Sequence, residues 1–492
     1  MLHLDGRTLE GGGQLLRISL CLAALTGESV RISDIRGNRS GGGGLKAQHL
    51  ACVRWLAEAT DAQTSGAELK SKALTFAPRR KARAASPAYE KTSSPASGEQ
   101  STTTTFGARL DIGSPGSIGL ALQAILPFIL FSPPLLDAAS ASASASASGQ
   151  SGIVQLTITG GTNVSGSPSY EYISQVLLPT LSAIGLPPVD CLLERRGWST
   201  GVRDCRNDTI AETARLFPNR LINWAVDDGG SGNDILYRER HVQDPPLSPG
   251  QRLRGFSIPS AAARKGSQQA RPSRLDATVL APPAHFDQFK AALTASAQLH
   301  FGARFSPTGP RPNLAFTFHD SGHAKRLYVL LVATVPDGGR DRKLGRDVLY
   351  EKKFRPDGVF SSPAAEMADS VASALAAEVG SGALVDAHMR DQLVVFQTLA
   401  QGRSEVWGGE DEDGDGCCAT EPSLHLRTAE WVAGEMLGVK FDNGAGNGIG
   451  FAAGQVGREM GTAEISSDER DAGDVEEVAD EGLTAELERV RV

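Results

Sequence analysis

The chain repeats one pattern of residues, and this pattern constrains its fold more than any other feature. A glycine-rich or small-residue loop leads into apolar residues at helical spacing, and these lead into apolar residues at strand spacing. The pattern occurs at least four times, with loops that begin near residues 11, 41, 113 and 160. Helices and strands of this kind each bury one apolar face against a partner. The repetition therefore predicts an α+β protein of repeated β–α units.

The apolar spacing also predicts where individual elements lie. Helices are expected over residues 14–26, 45–58, 120–131, 172–184, 287–299, 364–379, 391–400 and 427–437, and strands over residues 30–35, 154–158 and 439–441. Gly27 and Gly438 follow two of these helices directly. Glycine is the residue typical of a helix C-terminus, so both helices are expected to end there.

Four low-complexity stretches interrupt the pattern: residues 80–106, 137–151, 404–420 and 461–492. They lack the apolar periodicity that buries surface, so we expect three flexible inserts and a disordered tail. The tail holds eleven acidic and three basic residues, and these account for the whole formal net charge of −8. The remaining chain is neutral overall, which leaves room for an anionic partner.

The composition favours a protein of a reducing compartment. The six cysteines form no CxxC pair and no spacing typical of a zinc site. No stretch approaches the roughly 18 uncharged apolar residues of a membrane span, and residues 1–13 do not have the pattern of a signal peptide. We therefore expect neither a membrane association nor secretion.

The first glycine-rich loop, EGGGQLLR at residues 10–17, lies directly before a predicted helix. Backbone N–H groups at a helix start can face an anion, and Arg17 follows one turn into the helix. A carboxylate at Glu10 would be repelled by a phosphate unless it bound a metal ion or a hydroxyl group. Taken alone, the glycines are equally typical of an ordinary turn.

The second loop, IRGNRSGGGGL at residues 35–45, places Arg36 and Arg39 before another helix, with Gln48 and His49 on its first turn. Guanidinium groups grip phosphate oxygens through paired N–H groups. A single arginine of this kind is more often a solvated surface residue. Two such loops within about 40 residues favour an anion-binding site.

These loops resemble the amino-terminal signature of the RNA 3′-terminal phosphate cyclases, with its EGGGQ, paired arginines and QHL. Later segments are similar to the family in the same order: GSPGSIGLALQ at 113–123, GGTN at 160–163 with Ser167 and Pro168, RRGW at 195–198, DQL at 391–393 and SLHLRT at 423–428. The resemblance covers residues 1–198 and 340–441.

The resemblance implies a core of three βαβαββ units with a smaller α/β domain inserted after the second unit. On this basis residues 1–198 would hold the first two units, residues 199–310 the inserted domain and residues 311–460 the third unit. The acidic tail would begin at residue 461.

The resemblance also implies an activity: ATP-dependent conversion of an RNA 3′-phosphate to a 2′,3′-cyclic phosphodiester, with a divalent cation, Mg²⁺ or Mn²⁺. An imidazole nitrogen would attack the α-phosphate of ATP, form a histidine–AMP intermediate and pass AMP to the RNA end. The histidine implied is His425, from its place in SLHLRT. His388 is the other candidate for the nucleophile, because it lies three residues before Asp391. In the family an aromatic residue near the nucleotide stands at this position, so the resemblance assigns His388 to the pocket wall.

The remaining site residues follow from the same motifs. The residues implied for ATP are Glu10, Gln123, Pro168, His388, Asp391 and Gln392, with Glu10 also holding the metal ion. The residues implied for phosphates of the RNA end or of ATP are Arg17, Arg36, Arg39 and Gln48. A hydrogen bond from Asp391 to a ring nitrogen of His425 would fix the tautomer of the histidine.

The chain departs from the family pattern in places, and two other functions stay open. Gly43 replaces the proline of a Pro-Gly-Leu motif, and the glycines expected after Trp198 are missing. One alternative is a non-catalytic relative in ribosomal RNA processing and ribosome assembly; the other is an enolpyruvyl transferase. The expected partner is RNA with a 3′-phosphate, without an obligate protein partner. The expected location is the nucleoplasm, with the cytosol as the alternative, and residues 79–83 are a weak basic import signal.

Overall fold

Helices and small mixed sheets alternate along the computed structural model. The structure describes residues 1–39, 41–79, 88–92, 104–132, 152–198, 214–215, 251–258, 271–302, 312–337, 340–351, 362–409 and 422–453. Residues Met1–Gly457 form one compact unit, and all the described residues belong to it. The predicted insert at 137–151 and the predicted tail at 461–492 lie outside the described residues.

The helices of this unit are α1 (Gln14–Thr26), α2 (Ala47–Thr60), α3 (Ile118–Phe131), α4 (Tyr170–Tyr172), α5 (Leu178–Ala183), α6 (Phe286–Ala297), α7 (Pro363–Gly380), α8 (Ala387–Leu399) and α9 (Leu424–Leu437). The strands are β1 (Leu2–Asp5), β2 (Val30–Ser33), β3 (Gln63–Ser65), β4 (Leu74–Ala77), β5 (Tyr89–Thr92), β6 (Thr104–Asp111), β7 (Gly152–Gly160), β8 (Ala214–Arg215), β9 (Ser257–Ile258), β10 (Arg274–Ala281), β11 (Asn313–Asp320), β12 (Tyr328–Asp337), β13 (Arg340–Leu349), β14 (Gln401–Val406), β15 (Phe441–Asp442) and β16 (Ala445–Ile449).

Helix α1 is the centre of the core. Every one of its residues is buried, because its apolar side chains surround the helix rather than forming one stripe. It packs against α2, α3 and α9. Gly27 ends it with a left-handed φ of 78°, and its N–H bonds to the carbonyl of Ala23. The helix predicted for residues 14–26 is therefore confirmed.

The described strands form four sheets of four strands each, with the orders β1-β2-β4-β3, β5-β6-β7-β8, β11-β10-β12-β13 and β15-β16-β14-β9. All four are mixed: β1 runs parallel to β2, for example, whereas β2 runs antiparallel to β4. Helices and mixed sheets together confirm the α+β class. The number of βαβαββ units stays a prediction.

The third sheet carries its own pair of helices. Helices α6 and α7 pack on each other, and α7 also covers β12 and β13. Strand β10 lies between β11 and β12 and bonds to both. The predicted boundary at residue 310 therefore falls within one hydrogen-bonded sheet. The limits of the inserted domain stay predictions.

Local details differ from the sequence prediction in four places. The stretch 80–106, expected to be flexible, contains β5, which pairs antiparallel with β6. The stretch 404–420 begins inside β14. The strand expected at 439–441 is limited to Phe441–Asp442. The helix expected over 172–184 contains the π-helical turn Ile173–Leu177 between α4 and α5.

None of the helices in the described parts of the chain is both long enough and apolar enough to cross a membrane.

Candidate active site

A cavity of about 730 Å³ opens where the first turns of five helices converge. Residues from α1, α2, α3, α4, α8 and α9 line it, together with the loops 10–13, 36–46 and 163–169 and the ends of β12 and β13. Helix N-termini carry unpaired N–H groups and a partial positive charge, so their convergence favours an anionic ligand. The lining includes every site residue predicted from the sequence: Glu10, Arg17, Arg36, Arg39, Gln48, Gln123, Pro168, His388, Asp391, Gln392 and His425.

The three glycines before α1 allow side chains to approach the loop closely. Gly11 has a left-handed φ of 58°, which favours glycine. A Cβ atom at Gly13 would lie 2.6 Å from Nη1 of Arg17 and 2.8 Å from Nε2 of His49. Any larger residue at position 13 would therefore force both side chains to move.

Arg17 links three helices through side-chain amides. Its Nε donates to Oε1 of Gln123 at 2.6 Å, and its Nη2 donates to Oε1 of Gln14 at 2.5 Å. The Nε2 of Gln14 in turn donates to Oδ2 of Asp391 at 2.9 Å. Burial lowers the pKa of Arg17 to about 10, so the guanidinium is still charged at neutral pH. The network fixes a buried positive charge beside the glycine loop.

Asp391 is the acidic end of this network. Its Oδ2 also accepts from Nε2 of Gln392 at 3.1 Å. Burial raises the pKa of Asp391 to about 6, and the nearby Arg17 opposes that rise. The expected hydrogen bond to His425 is absent among the described contacts, because the carboxylate is directed to Gln14 and Gln392 instead.

Glu10 and Arg36 each keep one buried polar atom without a partner. The Glu10 side chain is 5% exposed, and its Oε1 contacts Nη2 of Arg39. Its backbone N–H donates to Oγ1 of Thr428 at 3.1 Å, which ties the loop to α9. Oε2 of Glu10 and Nη1 of Arg36 are buried and accept or donate no hydrogen bond. Buried polar atoms of this kind are rare in proteins, so both fit contacts to a ligand.

His425 lies on the first turn of α9, which begins at Leu424 after Ser423. The Oγ of Ser423 accepts from the N–H of Leu426 at 3.1 Å and so caps the helix. The His425 side chain is exposed towards the cavity. Partial burial is the main cause that lowers the pKa of His425, and the positive charges of Arg17 and Arg39 lower it further. The neutral, nucleophilic imidazole is therefore its main form at neutral pH.

A second set of polar residues lies beside the motif residues, and we call it the tyrosine–carboxylate group: Tyr172, Tyr328, Asp347 and Asp386. The hydroxyl of Tyr172 donates to Oδ1 of Asp386 at 2.7 Å, and that of Tyr328 donates to Oδ2 of Asp347 at 2.9 Å. Tyr328 also shares a hydrogen bond of 2.6 Å with Oγ of Ser169. Burial and the neighbouring carboxylates raise the pKa of both tyrosines, which are neutral.

His388 joins this group to the cavity. Nη1 of Arg346 lies 2.9 Å from its Nε2, and because arginine only donates, Nε2 accepts. The ring stands edge-on to Tyr172, with centroids 6.3 Å apart. Arg346 is itself held by Glu378. His388 is thus fixed as a wall of the cavity.

The family model for RNA 3′-terminal phosphate cyclase matches residues 8–443 of this chain. The chain belongs to the RNA 3′-terminal phosphate cyclase family. It is 29% identical over 409 residues to the RNA 3′-terminal phosphate cyclase of Caldivirga maquilingensis, covering 82% of this chain and 87% of that protein. It is 29% identical over 439 residues to that of Pyrobaculum neutrophilum, with 89% and 94% covered. The cyclase of Methylococcus capsulatus is 37% identical over 198 residues, with 40% and 45% covered.

The cyclase-family motifs did not identify the tyrosine–carboxylate group or Gln14 as part of the site. Gln14 stands inside the EGGGQ motif and could have been included on that ground. Asp386 had a local signal too, because an aspartate just before a predicted helix is typical of an N-cap. In the structure its Oδ1 accepts from the N–H groups of His388 and Met389. Tyr172 and Tyr328 had none, since their partners are distant in sequence.

Proposed function

We propose that this protein is an ATP-dependent RNA 3′-terminal phosphate cyclase that acts through a covalent histidine–AMP intermediate. The observation that carries the proposal is the position of His425, a histidine with a lowered pKa in the same cavity as Arg17, Arg36 and Arg39. A neutral imidazole can attack phosphorus, and guanidinium groups can stabilise the charge on the phosphate oxygens.

The reaction needs ATP because a phosphate monoester has no good leaving group for attack by the neighbouring 2′-hydroxyl. In the first step a ring nitrogen of His425 attacks the α-phosphorus of ATP, the bond to the β-phosphate oxygen breaks, and pyrophosphate leaves. In the second step an oxygen of the RNA 3′-phosphate attacks the same phosphorus, and the N–P bond breaks to release His425.

The third step closes the ring. The 2′-hydroxyl loses its proton and attacks the 3′-phosphorus, and AMP leaves with the bridging oxygen. The product is a 2′,3′-cyclic phosphodiester and free AMP. In this scheme Arg17, Arg36, Arg39 and Gln48 bind phosphate oxygens.

The nucleotide would lie against a separate set of residues. Gln123, Pro168, His388, Asp391 and Gln392 would contact ATP. These residues offer the nucleotide amides, a carboxylate, a ring and apolar surface, whereas the arginines offer positive charge.

A divalent cation, Mg²⁺ or Mn²⁺, fits the site at Glu10. Its Oε2 is buried without a hydrogen-bond partner, and carboxylate oxygen is a preferred ligand of such ions. Among the described residues no group of three or more His, Cys, Asp or Glu could hold a metal. Glu10 would therefore be the residue that holds the ion. The ion would supply positive charge that offsets the charge of the triphosphate.

The test uses an RNA oligonucleotide labelled in its terminal 3′-phosphate. We expect incubation with the full chain, ATP and Mg²⁺ to make the label resistant to phosphatase, and omission of ATP to leave it sensitive. An RNA with a 2′-deoxy terminal nucleotide is the matched control: it can still accept AMP on its 3′-phosphate but cannot form the cyclic product, so its label is expected in the AMP adduct and not in a cyclic phosphodiester, which chromatography separates. A folded protein that leaves the label sensitive in all cases would instead favour the non-catalytic role in ribosome assembly.

A further inference from the structure

His49 is a buried histidine of the cavity to which the proposed mechanism gives no role. It is 5% exposed and lies on the first turn of α2. Its Nδ1 accepts the backbone N–H of Lys46 at 3.3 Å. A side chain at this position of a helix commonly accepts that N–H and so satisfies the helix start. The contact accounts for one of the two ring nitrogens.

The tautomer of His49 follows from this contact. Because Nδ1 accepts a hydrogen bond, it carries no proton, and in a neutral ring the proton is on Nε2. Burial and the positive charges of Arg17, Arg36 and Lys46 lower the pKa of His49 to about 3. The ring is therefore neutral across the physiological range, and Nε2 is a hydrogen-bond donor.

The Nε2–H group is directed to the glycine loop. Nε2 of His49 and Nη1 of Arg17 both lie within 3 Å of the position that a Cβ of Gly13 would occupy. No described residue accepts a hydrogen bond from Nε2, whereas Nδ1 has its partner. A neutral donor and a charged donor thus meet at one point of the cavity, beside the start of α1.

We propose that His49 is a phosphate-binding residue whose Nε2–H donates to an oxygen of the phosphate held by Arg17 and the glycine loop. Arg17, Arg36 and Lys46 already supply positive charge at this point. The neutral Nε2–H of His49 adds a directional hydrogen bond and does not repel these cations. The inference rests on the proposed function for the source of the phosphate, which is either the RNA end or ATP.

Two substitutions separate the two ring nitrogens. In His49→Gln the side-chain amide can place an N–H near the position of Nε2, whereas in His49→Asn the amide oxygen can replace Nδ1 as the acceptor for Lys46 but the donor is lost. Binding of inorganic pyrophosphate to the full chain, measured by calorimetry, reports the phosphate contact even if no cyclase reaction occurs. Thermal unfolding confirms that each variant is folded.

We expect His49→Asn to weaken pyrophosphate binding about tenfold and His49→Gln to stay within about threefold of the wild type. The proposal is overturned if the wild type does not bind pyrophosphate, if His49→Asn binds as the wild type does, or if folded His49→Gln loses as much as His49→Asn. Parallel titrations with ATP and with RNA ending in a 3′-phosphate or a 3′-hydroxyl identify the source of the phosphate. A wild type that binds pyrophosphate but does not cyclise RNA would contradict the proposed function alone.

Discussion

The cationic group of the cavity, which comprises Arg17, Arg36, Arg39 and Lys46, differs from the tyrosine–carboxylate group in how its polar atoms are satisfied. Each tyrosine hydroxyl donates to a carboxylate of the protein itself. In the cationic group Nη1 of Arg36 is buried without a partner, and so is Oε2 of the adjoining Glu10. One group is complete within the protein, and the other leaves contacts for a ligand.

This difference separates stability from binding. Hydrogen bonds that are complete within the protein stabilise the fold and hold a rigid wall, so their loss is expected to cost stability first. Buried charges without full partners are costly to the fold and persist at sites where a ligand uses them. Substitutions in the cationic group should therefore affect activity more than stability, and substitutions in the tyrosine–carboxylate group should do the reverse.

The largest effect is expected for Arg17→Ala. Loss of this guanidinium removes a fixed donor for phosphate and breaks the contacts to Gln14 and Gln123, so we expect cyclase activity to fall at least about 100-fold. Stability should also fall, because Oε1 of Gln14 and Oε1 of Gln123 lose their buried donor and Asp391 loses a nearby positive charge, but the variant should stay folded. Initial rates of cyclic phosphate formation measure the effect. Arg31→Ala, at an exposed position of β2, is the control and should leave the rate unchanged. Equal losses of rate in Arg17→Ala and Arg31→Ala would contradict the assignment of the cationic group to binding.

The next effect concerns Asp391, whose pKa is raised from 3.8 to about 6 in the folded protein. The folded state holds this proton more tightly than the unfolded chain, so burial of the ionised carboxylate destabilises the fold. This destabilisation is full above pH 6, decreases as the pH falls from 6 to 3.8 and is absent below pH 3.8. We expect Asp391→Asn to be more stable than the wild type by about 2–3 kcal/mol at pH 8. The advantage should fall below half by pH 4.5.

Urea unfolding at the two pH values measures this difference. An advantage of equal size at pH 8 and pH 4.5 would show that the charge of Asp391 is not its cause. Gln392→Ala serves as a control, since it removes a hydrogen bond to Asp391 without removing a titrating group.

The smallest effect is expected for Tyr328→Phe. The substitution removes the hydroxyl that bonds to Asp347 and Ser169, and we expect a loss of about 1–2 kcal/mol in the free energy of unfolding. Cyclase activity should change by less than about tenfold, in contrast to Arg17→Ala. Tyr89→Phe is the matched control, because the Tyr89 hydroxyl is buried without a hydrogen-bond partner and its loss should not destabilise the protein. A Tyr328→Phe variant with normal stability and no activity would contradict the assignment of the tyrosine–carboxylate group to stability.

The sequence predicted those parts of the fold that depend on neighbouring residues. Helix α1 and its end at Gly27 follow from the spacing of leucine and isoleucine and from one glycine. Helix α9 also ends as predicted, at Gly438 with a left-handed φ of 69°. The convergence of the motif residues on one cavity followed from the family resemblance, which orders motifs that are hundreds of residues apart.

Features that depend on distant pairs were not predictable from spacing. Strand β5 lies in a stretch of low apolar content and exists as a strand through its pairing with β6. The bond between Tyr172 and Asp386 joins residues 214 positions apart, and no local pattern connects them. The expected contact of Asp391 with His425 was wrong for the same reason, since the choice among nearby donors depends on packing.

The most direct test of the account is covalent labelling with ATP that carries a label in its α-phosphate. We expect the wild type, with Mg²⁺, to form a protein–AMP adduct that is stable in alkali and released by acid, as a phosphoramidate is. His425→Ala should form none, whereas His285→Ala, a histidine outside the cavity, should form as much as the wild type. An adduct that persists in His425→Ala, or a folded wild type that forms none, would contradict the assignment of His425 as the nucleophile.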